Sequence, residues 1–439
     1  MKRYLSLMLV IIMTTALLMG CSSDSKEEPT TQTKESTTKK EEKDTAKKEE
    51  EVTTIDFYYR SSNEIYFKEI IANYESQNPA VKINQVAYPN KDYKNKVLVQ
   101  LAGNGDIDVF DTGNAAEYAS YVDKKQLLAL DDLIAKDNLD LGPYGNTIDQ
   151  LRINDKLYGL PFTTSAWVLF YNKDLFDAAG VPYPTDDMTW DEFREVAKKM
   201  TSGEGNDKIW GTYVHTWPQC WYGPALQNGE TIVSGNYGPF QEALQFKMDL
   251  ESDGSAMPYT EAVATSAHYN AMNQTGKVAM VPIGEWHIEQ LRTAEKEGSM
   301  SFDWDIAAMP HPEGVAPNTT WGMPAELSIV EGKDNVDAVW DFVKYASGVE
   351  GAKVFAESGR LPAIINDETT KIFIGDPNQK PQNVEMIFNQ EIYLEMPAVP
   401  NINSVFEIFN KESQLTFANE RSVEETIKVI EERVNNEYR

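Results

Sequence analysis

"GKVAMVPIGEW" (residues 276–286) opens on a turn glycine, runs through an apolar segment and stops at Gly284, Glu285 and Trp286. The apolar run over residues 278–283 has the length of a buried strand and is bounded by glycines. Residues 286–297 continue with helical spacing. A Trp just past a buried strand is either core filler or the wall of a binding site. Gly284 is expected to let the backbone turn there.

The stretch belongs to a longer alternation. "TIDFYYR" (residues 54–60) reads as a strand. Phe67, Ile70, Ile71 and Tyr74 follow at i, i+3, i+4 and i+7, an apolar helical stripe. "VKINQVAY" (81–88) and "IDVF" (107–110) are the next strands. One helix runs through residues 97–101 and another starts near Ala115. After Tyr158, "WVLFY" (167–171) is a buried strand. "TWDE" (189–192) is a capping-box signature opening a helix with Phe193, Val196, Ala197 and Met200. Residues 209–214 read as a strand, and 240–251 and 261–275 as long helices. "DWDIAAM" (303–309) and "AELSIV" (325–330) are strands. Two helices span residues 335–358. Val423, Ile427, Ile430 and Val434 mark a C-terminal helix. Such alternation predicts α/β lobes, each a mostly parallel sheet flanked by helices.

Composition limits the function. The chain has 439 residues, 41% of them hydrophobic, enough for two lobes with separate cores. A formal net charge of −29 repels phosphate backbones and argues against nucleic acid as a partner. There are two cysteines. Cys21 belongs to an N-terminal signal, so Cys220 reads as a lone packed thiol and no internal disulfide is expected. Lys2 and Arg3 precede an apolar run over residues 5–19, too short for a span of about 20 residues but suited to a secretory signal. Residues 18–21, "LMGC", resemble a bacterial lipobox, which implies cleavage before Cys21 and lipid attachment to its sulfur. Residues 22–51 are rich in Ser, Thr, Lys and Glu, with no aromatic residue. They bury too little apolar area to offset ordering entropy and read as a disordered tether with a mean reach of about 30 Å. The expected placement is the extracytoplasmic face of the cell membrane.

Five segments in order resemble the extracytoplasmic solute-binding lipoproteins of carbohydrate ABC importers, the maltose-binding-protein-like class. They are "KLYGLPFTTSAWVLFYNKDLFDAAGV" (156–181), "TWDEFREVAKKMT" (189–201), "GKVAMVPIGEW", "DWDIAAMPHPEG" (303–314) and "AVWDFVKYASGVEGAKVFAESGRLPA" (338–363). The resemblance implies a two-lobe fold joined by a three-segment hinge, near residues 163–166, 306–309 and 360–363. Residues 1–20 would be the signal peptide and 21–52 the tether. Lobe one would be 53–163 with 309–361, and lobe two 164–308 with 362–439. A sugar or oligosaccharide would bind in the cleft of a monomer and pass to the permease subunits.

A sugar offers apolar C–H faces that stack on rings and hydroxyls that need hydrogen bonds. The loops after the strand ends carry that mixture: Tyr58, Tyr59 and Arg60; Asp111, Asn114 and Glu117; Thr164 and Ser165; Trp217, Gln219, Trp221 and Tyr222; Glu285 and Trp286; Trp321; and Arg360. The resemblance aligns Trp286 with a stacking Trp. For Arg60 and Arg360, ion pairs between lobes or on the surface stand beside ligand contact; if both face the cleft, an acidic sugar such as a uronate would fit. Phe406 is open between core and cleft. No P-loop, H-E-x-x-H or G-x-S-x-G occurs, "GNGD" (103–106) lacks the third glycine of a dinucleotide fingerprint, and the four histidines show no metal spacing. No catalytic residue, metal or cofactor is expected, and the chain reads as a binding protein rather than an enzyme. The alternatives are the same fold binding another solute such as a polyamine, a carbohydrate-processing enzyme with a carboxylate pair, or an adhesin or signalling receptor subunit.

Overall fold

The structure is a computed structural model that describes residues 52–103 and 105–438. The signal segment, Cys21 and the tether lie outside the described residues. The strands, in chain order, are β1 (Thr53–Arg60), β2 (Val81–Tyr88), β3 (Val109–Asp111), β4 (Leu160–Thr163), β5 (Trp167–Asn172), β6 (Trp210–Thr212), β7 (Val278–Gly284), β8 (Trp304–Ala307), β9 (Thr319–Gly322), β10 (Ala325–Ile329) and β11 (Glu391–Leu394). One sheet has the order β2-β1-β3-β10-β4, a second β6-β7-β5-β8, and β9 pairs with β11. Helices flank the sheets in a two-lobe α/β fold.

The sheets are mixed, not mostly parallel as the alternation suggested. β1 is parallel to β2 and β3, but β10 is antiparallel to β3 and β4. In the second sheet β6 and β7 are parallel, whereas β5 is antiparallel to β7 and β8. A βαβ crossover forces parallel pairing; a strand that arrives from elsewhere in the molecule is under no such constraint.

Separate cores fill the two sheets' surroundings. Phe57, Phe67, Phe162, Phe342 and Phe355 pack in the first. The helix Glu64–Gln77 delivers Phe67, Ile70, Ile71 and Tyr74 to it, the stripe read from the sequence. On β5 the strand's two-residue period divides the side chains. Val168 and Phe170 join one cluster, and Leu169 and Tyr171 join another on the opposite face. Residues 278–283 of β7 are all buried.

The expected long helix over 261–275 is broken. Helices Tyr259–Ala264 and Tyr269–Gln274 are separated by a turn in which Ser266 takes the left-handed conformation, φ +52°. His268 then caps the restart, its Nδ1 accepting from the Asn270 amide. The interruption brings His268 and Tyr269 against other aromatic rings, described below.

Two segments with predicted crossovers run side by side. The Thr164 amide donates to the Leu361 carbonyl (3.1 Å) and the Ala363 amide to the Phe162 carbonyl (3.2 Å). β9 lies in the stretch expected in lobe one, yet Trp321 on it stacks on Trp167 of β5. Gly322 allows this approach: a Cβ there would lie 1.8 Å from the Ser165 carbonyl oxygen.

The capping box at Thr189 forms as read. Its Oγ1 accepts from the Glu192 amide (3.3 Å), and the Glu192 carboxylate accepts from the Thr189 amide (2.9 Å). Thr189→Ala is expected to cost about 1 kcal/mol, read as a lowered denaturation midpoint at unchanged m-value; an unaltered midpoint would show that the helix Trp190–Met200 does not depend on its cap.

Candidate functional site

Parallel strands β1 and β3 end side by side, and the carboxyl ends of such strands are where open α/β sheets hold ligands. Arg60 ends β1. Its guanidinium donates to Asp111 Oδ1 (3.0 Å), the Asp111 carbonyl (3.2 Å) and Glu117 Oε2 (2.8 Å), and lies 4.4 Å from the Tyr93 ring centre. Asn63 Nδ2 donates to the other Asp111 oxygen (3.0 Å). Gly113, at φ +83°, leaves room for the guanidinium: a Cβ there would lie 2.1 Å from it. Arg60 is thus held by two carboxylates of its own lobe. Asn114 is a helix cap, its Oδ1 accepting from the Glu117 amide (2.9 Å). Tyr58 is buried beside Tyr88, and Tyr59 is buried on the other face with its hydroxyl donating to Gln85. Beneath this group Glu326 is buried and accepts from the Thr112 hydroxyl (2.7 Å).

The remaining candidates gather mainly on the second sheet's side, around Trp167. Its indole N–H donates to Glu395 Oε1 (2.7 Å), and Gln219 Nε2 donates to the other carboxylate oxygen (3.1 Å). Trp321 stacks on Trp167 with ring centres 5.4 Å apart; Trp286 meets Trp167 edge to face at 5.9 Å. Trp286 is half-buried, and Trp217, 6.5 Å from it, is 36% exposed. Trp221 lies in the core, stacked on Phe409, and Trp321 is also buried, over Gly223 of the helix Gln219–Gln227. Tyr222 is buried, its hydroxyl donating to the Glu395 carbonyl (3.0 Å). Ser165 is tied to Met323, whose amide donates to Ser165 Oγ (2.9 Å). Phe406 packs half-buried against the core. Arg360 is half-buried, with its charge acting on Glu285 and on Tyr66.

Gly284 has a different role from the one expected. It has no left-handed φ; instead a Cβ there would lie 1.9 Å from the Trp286 ring. The glycine gives the indole a place to lie over the backbone. Glu285 points inward, Oε2 accepting from the Ala166 amide (3.0 Å), while its Oε1 is buried without a hydrogen-bond partner. Gln219 Oε1 and Thr164 Oγ1 are in the same state. Buried polar atoms are nearly always satisfied, and Glu326 Oε1 in the first sheet shares this unpartnered state.

Sequence reasoning missed Glu395, His215, His268 and Tyr269. None carries a local motif. Glu395 is 228 residues from its partner Trp167. His215, His268 and Tyr269 form a ring cluster with Trp217, with centre separations of 4.3–6.5 Å. Among the described residues no group of three His, Cys, Asp or Glu is placed to hold a metal ion. Cys220 is packed against the core, and burial pushes its thiol up.

Residues 60–353 match the bacterial extracellular solute-binding protein family. The chain belongs to that family. Its fold is similar to a sugar transporter from Rhizobium etli in an open conformation, with TM-score 0.83, 30% identity, and coverage of 88% of this chain and 99% of the other. It is also similar to a Listeria monocytogenes ABC substrate-binding protein in complex with cycloalternan, with TM-score 0.74, 26% identity, and coverage of 88% and 99%. A lactose-binding protein of Rhizobium radiobacter is 22% identical over 340 residues, 73% of this chain and 76% of the relative. The family is described as bacterial extracellular solute-binding proteins.

Three buried glutamates give the site a pH signature. Burial pushes Glu285 up to about 7 against the pull of Arg360, Glu395 to about 7 against its donors Trp167 and Gln219, and Glu326 to about 8 against Thr112. Each binds a proton more tightly folded than unfolded, so the stability it contributes is full below its ordinary value of 4.5 and is lost as pH rises through the folded value. Burial lowers His215 and His287 from 6.5 to about 4, so their contribution is lost as pH falls through that interval. Above pH 6.5 the glutamates act without this opposition. The thermal midpoint is expected to fall between pH 6.5 and 8, and Glu326→Gln to flatten that fall; an equally steep decline in the variant would mean that Glu326 is ionised throughout.

Proposed function

We propose that the protein captures a sugar or oligosaccharide in the cleft between its lobes and delivers it to the permease of an ABC importer. The observation that carries this reading is the half-buried Trp286 ring 6.5 Å from the exposed Trp217 ring, with their sequence neighbours Glu285 and Gln219 each holding a side-chain oxygen without a hydrogen-bond partner. Ring faces suit the apolar faces of a sugar, and acceptors without donors suit its hydroxyls. The sugar-related names of the similar proteins support the same class of solute. A polyamine fits less well, because burial raises Glu285 and Glu395 to about 7 and so reduces the negative charge they offer a cation near neutrality. A uronate finds Arg60 already occupied by Asp111 and Glu117.

The lobes are assigned as follows. Residues 53–163 form lobe one with β10 and the helices after it. We place the second crossing at residues 322–325, between β9 and β10, in place of residues 306–309. Support comes from the packing of Ala308, Met309 and Trp321 with the second sheet's core and from the seat of β10 in the first sheet. Ligand touching both lobes would favour a closed arrangement over an open one. The protein would act as a monomer, held at the membrane by a lipid on Cys21 and its tether, which keep it near the permease.

Calorimetry with lactose, mannotriose and cycloalternan tests the ligand class, with spermidine as the contrast. Binding of at least one sugar and none of spermidine is expected. Trp286→Ala is expected to weaken sugar binding by about tenfold or more, from the lost stacking face and its buried area, while the thermal midpoint stays within a few degrees. Spermidine binding with no response to any sugar would overturn the reading.

A further inference from the structure

The Trp286 indole is held by more than packing. Its N–H donates to the Tyr269 hydroxyl (3.1 Å), so that polar edge is already satisfied within the protein. The same hydroxyl accepts from Gln290 Nε2 (3.2 Å). Gln290 Oε1 in turn faces His287 Nδ1 (2.9 Å), and His287 Nε2 faces Asn273 Nδ2 (2.8 Å). With Asn273 Nδ2 facing the ring, His287 Nε2 accepts and the ring proton sits on Nδ1, where it donates to Gln290 Oε1. That fixes the Gln290 amide with its nitrogen toward Tyr269. His287 and Asn273 are buried, and burial keeps His287 uncharged near neutrality, which leaves Nε2 free to accept.

Each member comes from an element already described. Asn273 and Tyr269 lie on the short helix that restarts after Ser266; His287 and Gln290 lie on the helix His287–Glu297 directly after Trp286. Phe170 of β5 closes over His287 with ring centres 4.8 Å apart. The indole therefore has three fixed restraints: the bare backbone of Gly284 beneath it, the edge-to-face contact with Trp167, and the hydrogen bond to Tyr269.

We propose that Tyr269 is a positioning residue for ligand binding: its hydroxyl, set by the Asn273–His287–Gln290 chain, holds the Trp286 indole at the angle in which its ring face meets the ligand. Trp286 then contributes a face and no hydrogen bond. This rests on the reading of Trp286 as a ligand platform, and it adds a residue that touches no ligand itself.

The test is a mutant cycle. Tyr269→Phe removes one oxygen and keeps the ring contacts with His215, His268 and His287. Trp286→Phe keeps an aromatic face but has no N–H. Affinity is measured calorimetrically for whichever of lactose, mannotriose and cycloalternan the wild type binds most tightly. Near-ultraviolet circular dichroism of the ligand-free proteins gives a second readout. Tyr269→Phe is expected to weaken binding about fivefold, the size of one lost buried hydrogen bond, and to change the tryptophan dichroism. In the Trp286→Phe background the same substitution is expected to change neither quantity. An equal loss in both backgrounds, or none in the wild type, would overturn the proposal, because a general structural role adds independently of the indole N–H. If the wild type binds none of the sugars, the sugar reading fails and the dichroism decides: a signal change confined to proteins with Trp286 supports the positioning role, and its absence overturns it. Should Tyr269→Phe fail to fold, Gln290→Met, which removes one restraint on the hydroxyl, is expected to shift both readouts in the same direction.

Discussion

Trp167 and Glu395 meet in the interior, an indole N–H against a carboxylate oxygen at 2.7 Å, across 228 residues of chain. Both are buried, so neither can lose its partner to water without leaving an unsatisfied polar group in the core. That requirement fixes where the segment after β11 lies against the start of β5. Trp321 then has a ring to stack on, Trp286 has an edge to meet, and Gln219 has a second carboxylate oxygen to reach. The aromatic side of the site is arranged around this single contact.

The arginine side is organised differently. Arg60, Asp111, Glu117 and Asn63 form a closed network in which each charged group is answered by another. Around Trp286 the indole N–H is answered by Tyr269, and unpartnered buried oxygens occur on both sides of the candidate site, at Glu285 and Gln219 and at Glu326 beneath the arginine network.

Much of the fold was legible because it follows from period. The helix Glu64–Gln77, the buried run of β7 and the Thr189 capping box each declare themselves within a dozen residues. What escaped notice lacks local signal. β4, β9 and β11 have four residues each, too few for alternation to show, and their pairing is set by distant partners. The break at Ser266 falls inside residues 261–275, whose pattern reads as one long helix. Among site residues, Trp286 and Glu285 were visible because they end a strand. The aromatic content of "WPQCWY" (217–222) marked that segment but could not say that Trp217 is exposed while Trp221 is packed on Phe409. Glu395 and Tyr269 gain their meaning from partners that only folding brings near. Gly284 was singled out correctly for the wrong physical reason: clearance for a ring, not freedom of φ.

Cys220 has a practical consequence. Among the described residues it is the single cysteine, packed against the core with its thiol pushed up by burial. A buried thiol of that kind reacts slowly with maleimides. A cysteine introduced at an exposed position would therefore be the fast-reacting one, even with Cys220 left in place. A single dye could be attached without first removing the native residue, and movement between the lobes could be followed optically in an otherwise unaltered core.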